Sequence, residues 1–104
     1  MGESEIIKTD TDIIVKPGRN IIASMASDFR AELQEQVQTH PQQIIIDMSG
    51  VEMVDSVGIG VMIAVHNSLC KNGGTLKVIN ADNNILSLFH TMRLNRHFTV
   101  EGGQ

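Results

Sequence analysis

A single cysteine, Cys70, is all the thiol chemistry this chain carries. It cannot close a disulfide within the chain, which fits a reducing compartment. Tryptophan and tyrosine are absent, and only three phenylalanines supply aromatic rings. Positive charge is scarce as well: Lys and Arg number 8 against 12 Asp and Glu, for a formal net charge of −4. A nucleic-acid binder needs a basic patch to neutralise phosphates and rings on which bases can stack, so this composition argues against that class. Long apolar runs are missing too. The longest, near Val61–Val65, is far too short to cross a bilayer. Residues 1–12 are acidic and broken, without the apolar stretch of a secretory signal. Gly2 follows Met1, but Ile6 stands where a myristoylation signal needs Ser or Thr. The expectation is a cytoplasmic protein with no membrane insertion.

What remains is the composition of an ordinary globular domain. The chain has 104 residues, of which 41% are apolar and 19% charged. That length buries one core without staples and predicts one domain over residues 1–104, with Glu101–Gln104 as a flexible tail. No repeat, linker or low-complexity tract interrupts it.

The pattern along the chain alternates strands with helices. Ser4–Thr9 and Asp12–Lys16 read as a hairpin turning at Asp10-Thr11, closed off by Pro17-Gly18. Ser24 is placed to cap a helix whose Met25, Phe29, Leu33 and Val37 form one stripe and which Pro41 ends. Gln42–Met48 holds the β-branched run Ile44-Ile45-Ile46, which predicts a strand buried on both faces. A second helix spans Val57 to Lys71, with Val57, Val61, Val65 and Leu69 on its inner face and Asn72-Gly73-Gly74 at its end. Thr75–Asn80 is a strand, Asp82 caps a third helix carrying Ile85, Leu86, Leu88, Phe89 and Met92, and Phe98–Val100 is a last strand. The fold class is therefore α/β, a central mixed sheet flanked by helices. Met25, Met62 and Met92 are expected in the core, and one of Met48 and Met53 at the surface.

The informative stretch is Val54-Asp55-Ser56-Val57-Gly58-Ile59-Gly60, between the isoleucine strand and the second helix. Loops leaving the carboxyl ends of strands are where α/β folds meet ligands and partners. A hydroxyl at a helix N-terminus sits among unpaired N–H groups that favour an anion, so Ser56 is suited to carry phosphate. Ser56 as a plain N-cap, with Gly58 and Gly60 permitting close packing, is the reading the residues by themselves favour, since Ser is a common cap. Under the first reading Gly58 and Gly60 let a partner's backbone approach the serine.

Other chemistry is not written here. A hydrolase elbow needs Gly where Val54 stands, and a dinucleotide fingerprint needs Gly where Ile63 stands. No phosphate-loop Gly-Lys-Ser/Thr occurs, so no catalytic residue, no enzyme and no cofactor is expected. His66 and Cys70 are spaced as a ligand pair on one helix face, but a metal site wants three or four ligands. They are read as packing residues, and no metal is expected. Arg93, Arg96 and His97 are read as solvated cations closing a helix end.

The runs Ile44-Ile45-Ile46-Asp47-Met48-Ser49-Gly50-Val51 and Met53-Val54-Asp55-Ser56-Val57-Gly58-Ile59-Gly60 resemble the central signature of the STAS family, in its bacterial anti-sigma factor antagonist type. The likeness continues to Gly73-Gly74-Thr75-Leu76 and closes with Leu88-Phe89, Met92, Leu94 and Phe98. The resemblance implies a partner switch. Unphosphorylated protein would bind an anti-sigma factor that is also a serine kinase. Phosphorylation of Ser56 would break the complex, and a serine phosphatase would restore it. Asp55, Ser56, Val57, Gly58 and Gly60 would form the partner surface, with Asp55 positioning the loop. Stand-alone STAS domains also resemble accessory subunits of lipid transporters and parts of stress-signalling assemblies, which bind partners without such a switch. Two departures stand out. Val57 replaces a second Ser or Thr found in many antagonists, and Gly18-Arg19-Asn20-Ile21 lacks the acidic residue of the family's Gly-x-Leu-Asp loop.

Overall fold

The computed structural model describes residues 4–103. Its elements run β1 (Glu5–Lys8), β2 (Asp12–Lys16), α1 (Ala23–Val37), β3 (Gln43–Asp47), α2 (Ser56–Lys71), β4 (Thr75–Ala81), α3 (Asn83–Thr91), a 3-10 turn (Leu94–Arg96) and β5 (Thr99–Gly102). The predicted hairpin forms: the Thr9 N–H donates to the Asp12 carbonyl at 2.8 Å, and the Asp12 N–H to Thr9 Oγ1 at 3.0 Å. β1 and β2 are antiparallel, every later pairing is parallel, and the sheet order is β1-β2-β3-β4-β5.

That order decides how the sheet is covered. Each crossover from β2 onward steps one strand in the same direction. Right-handed crossovers then place all three helices on one face. Burial follows suit. Ile13, Val15, Ile44, Ile46, Leu76 and Val78 are buried under the helices, while the alternate residues Ile14, Ile45, Lys77 and Ile79 are only half-buried. The expectation that the isoleucine strand is buried on both faces is therefore corrected. A β-branched run reports strand propensity, but it does not count the layers.

On the covered face, α1 buries Met25, Phe29, Leu33 and Val37 as the stripe predicts. α2 buries Val61, Val65 and Leu69 together with Met62. Val57 departs from that stripe and is 47% exposed, because it lies in the first turn, beyond the sheet's edge. Met92 is 46% exposed rather than in the core, since α3 ends at Thr91 and leaves Met92 as the residue after it. Asp82 caps α3 as expected, accepting the Ile85 N–H at 2.8 Å. Gly73, in the left-handed region at φ 79°, closes α2 in the predicted way. β5 runs to Gly102, and the Gly103 N–H donates to the Ala81 carbonyl at 2.9 Å. Glu101 and Gly102 are thus strand rather than tail; Gln104 lies outside the described residues.

Candidate functional site

The connections leaving β2 and β3 lie side by side at the carboxyl edge of the sheet and are stitched together. Asn20 Oδ1 accepts the N–H groups of Glu52 and Met53 at 2.9 and 3.0 Å. The Ile21 N–H donates to the Met53 carbonyl at 3.0 Å, and the Asp55 N–H to the Ile21 carbonyl at 3.2 Å, making a short parallel bridge between Ile21 and Val54. Chain segments more than thirty residues apart are held as one ledge.

Asp55 locks that ledge to the helices above it. Its Oδ1 accepts the Gly58 N–H at 2.9 Å and caps α2. Its Oδ2 accepts the Ala23 N–H at 2.9 Å, the first residue of α1. One carboxylate therefore caps two helices, where anionic oxygen is favoured by unpaired amides and by the helix dipole. These bonds, from Gly58 first and then Ala23, hold its pKa below the usual carboxylate value. The sequence reading placed the α1 cap on Ser24. The residue in that position is instead Ile22, which makes no side-chain cap, and Ser24 is exposed within the first turn. No local pattern could have shown this, because the capping group comes from 32 residues away.

With Asp55 as cap, Ser56 is not one. It is the first residue of α2 and it is exposed. Among the described residues its hydroxyl has no hydrogen-bond partner. Val57, next to it in the chain, is 47% exposed and Met53, three residues before it, 56%, and Glu52 is exposed as well. Met48, the alternative surface methionine, is buried. The two glycines part company. Gly60 is exposed with open space where a side chain would be. Gly58 is buried, and a Cβ there would run into the Ile21 carbonyl oxygen. The expectation that Gly58 opens the site to a partner is corrected: it lets α2 sit down on the Ile21 bridge.

A second aspartate organises the neighbouring strand ends. Asp47 Oδ1 accepts the Ser49 N–H at 3.0 Å, the Ser49 hydroxyl at 2.7 Å and Asn80 Nδ2 at 3.0 Å. Partial burial pushes its pKa up, but the bonds from Asn80 and Ser49, helped by the Lys16 charge, outweigh this and leave it lowered. Sequence reasoning named Asn20 only within a loop that departs from the family's pattern and Asn80 only as a strand end, and gave neither its bonding role. Asn80 adopts φ 58°, a left-handed conformation that Asn tolerates.

At the far side of α2, His66 and Cys70 do meet, with Sγ 3.6 Å from Nε2. His97 and Phe98 close over the imidazole, at ring-centroid distances of 6.3 and 5.5 Å. Burial first, and the neighbouring His97 second, push the His66 pKa down. Among the described residues no group of three His, Cys, Asp or Glu could hold a metal ion. No described helix is long and apolar enough to cross a membrane.

The model of the STAS domain family matches residues 3–102, and the chain belongs to that family. No curated protein sequence matches significantly. Among solved structures, the fold superposes on a candidate anti-sigma factor antagonist from Thermotoga maritima with a TM-score of 0.86 at 18% identity, covering 94% of this chain and 85% of that one. An anti-sigma factor antagonist from Mycobacterium paratuberculosis gives 0.84 at 22% identity, covering 94% and 83%. The Bacillus cell fate determinant SpoIIAA in its phosphorylated form gives 0.73 at 15% identity, covering 93% and 89%.

Proposed function

We propose that this chain is a partner-switching regulator of the anti-sigma factor antagonist kind. It binds an anti-sigma factor that is also a serine kinase, phosphorylation of Ser56 releases it, and a serine phosphatase resets it. It acts in the cytoplasm as a binding module rather than an enzyme. The observation that carries this reading is the exposed Ser56 hydroxyl at the start of α2, left without an internal partner because Asp55 has taken the cap. A kinase needs such a hydroxyl. Three further features support the reading: the family membership, the likeness to antagonist structures, and the likeness to one of them in a phosphorylated form.

The geometry also suits a switch that does not unfold the domain. A phosphate on Ser56 brings about −1.5 to −2 charges to a helix N-terminus, which tolerates an anion. Asp55 already holds the Gly58 and Ala23 amides, so the new charge would stand on an exposed residue close in the chain to exposed Met53 and Val57. A partner that buries those apolar side chains would have to desolvate a dianion, which opposes binding.

Isothermal titration against the cognate kinase tests this. Ser56→Ala should bind like wild type in the absence of ATP and stay bound in its presence. Ser56→Asp should bind about tenfold or more weakly. Equal affinity for wild type and both variants, with or without ATP, would move the weight to a constitutive subunit role.

A further inference from the structure

The turn between α3 and β5 carries the next inference. β4 runs to the carboxyl edge of the sheet and α3 returns to the amino edge, so this turn stands at the end of the molecule opposite Ser56. No Asp or Glu occurs between Asp82 and Glu101, in a chain whose acids outnumber Lys and Arg by 12 to 8. His90, Met92, Arg93, Arg96 and His97 are all exposed there. Lys71 ends α2 at the same edge. Glu101, the next carboxylate along the chain, is held by Lys77 at 3.5 Å.

The sequence reading has these cations closing a helix end. In the structure the last carbonyls of α3 are met by backbone instead: the Met92 N–H donates to the Leu88 carbonyl and the Arg93 N–H to the His90 carbonyl, both at 3.0 Å. Neither guanidinium has a hydrogen-bond or ion-pair partner among the described residues. Arg93 also occupies a costly position. It lies at φ 60°, in the left-handed region where a helix end normally takes glycine, as α2 does with Gly73 at φ 79°. His40 and Asn80 also have positive φ, but His and Asn are residue types that tolerate it and arginine is not. Strain kept at a side chain with no internal partner points to a use for that side chain. The turn is anchored by buried Leu94 and Phe98. The Arg96 N–H donates to the Arg93 carbonyl at 3.2 Å. The two arginines therefore stand one tight turn apart, their Cα atoms within about 7 Å.

We infer that this turn is a docking surface for an acidic peptide segment of a partner protein, with Arg93 and Arg96 taking its carboxylates and Met92 an apolar side chain beside them. Guanidinium forks match carboxylates in pairs, and Arg and Met are the residues that interfaces favour. Arginine clusters are a recurring way of reading acidic motifs. A short peptide needs only the two arginines. A nucleic acid or an anionic membrane presents an extended negative surface, which the acidic remainder of the chain repels. A partner docked here leaves Ser56 free at the other end, so this surface survives or fails without the phosphoswitch reading.

Fluorescence anisotropy on the full chain tests the inference, with a labelled peptide of about ten residues, glutamates around a central leucine, as the probe. The expected result is binding at submillimolar concentration that weakens as salt is added. Arg93→Gly should weaken it about threefold and Arg93→Gly/Arg96→Gln about tenfold or more. Arg93→Gly should at the same time raise the urea midpoint, because glycine removes the left-handed strain. Ser56→Asp should leave peptide affinity unchanged. Circular dichroism checks that each variant is folded. No binding at millimolar concentration overturns the inference, as does an affinity indifferent to both arginine variants. A lowered midpoint in Arg93→Gly does so too, since the arginine would then serve the fold. Loss of binding in Ser56→Asp would place the peptide at the switch instead. Tighter binding of a thymidine decamer or of phosphatidylserine vesicles at the same ionic strength would replace the acidic peptide with a nucleic acid or a membrane.

Discussion

Two glycines two residues apart behave in opposite ways, and the difference is measurable. Gly58→Ala puts a methyl against the Ile21 carbonyl, which cannot move aside while it accepts the Asp55 N–H. The overlap outweighs the about 1 kcal/mol that alanine gains over glycine in a helix. Urea denaturation should show a net loss of about 2 kcal/mol. Gly60→Ala meets open space and should instead gain about 0.5–1 kcal/mol. If Gly60 faces the partner, as the family resemblance implies, the same variant should lose affinity while gaining stability. Asp55 is the residue on which the site's geometry turns. Asp55→Ala removes the cap from both helices, and amide exchange at Ala23 and Gly58 should accelerate together. Faster exchange at Gly58 alone would mean that the α1 cap contributes nothing.

At the level of elements, α1 and α2 start from one point. The bridge between Ile21 and Val54, the Asn20 side chain and the Asp55 carboxylate tie the two helix starts to one ledge. Asp55, the residue before Ser56, is thus shared by the opening turns of both helices. The far end of α2 is tied differently, through His66 packed beneath His97 and Phe98. The folded His66 pKa lies below its ordinary 6.5, so the imidazole is held neutral. A depressed pKa stabilises the fold above the unfolded value and loses that stabilisation as pH falls through the folded one. Thermal unfolding should therefore show a midpoint that falls as pH drops below the ordinary 6.5, and His66→Gln should flatten that fall. An unchanged slope in that variant would place the titrating group elsewhere.

The whole molecule adds an acid limb to the same profile. Asp47 and Asp55 both titrate below the ordinary 3.8. Their stabilisation is complete above that value and disappears as pH falls through their lowered pKa values. Stability should thus drop again below about pH 4, less steeply in Asp55→Asn. A profile flat from neutral pH to below 3.8 would show that neither network matters. The one-sided sheet is the other property that belongs to the molecule as a whole. The core is closed on the helical side, with Phe29, Leu33, Met62 and Phe89 fully buried, while four isoleucines are left to the opposite face.

By itself the sequence determined the order of elements, the stripe of α1, the Asp82 cap, the Gly73 turn and the place of Ser56 at the head of α2. Each of these rests on local spacing or on the backbone preference of one residue, which neighbours in the chain suffice to express. The tertiary structure alone decided which faces are covered and which groups cap which ends. Ile45 looks the same as Ile44 and Ile46 in sequence, but strand order and crossover hand leave it on the open side. Asp55 reads locally as the residue before a serine, yet its second oxygen reaches Ala23 and frees Ser24 and Ser56 from capping. Gly58 and Gly60 differ only in what stands opposite them. Long-range hydrogen bonds and layer packing are set by how distant segments are brought together, and no window along the chain contains both partners.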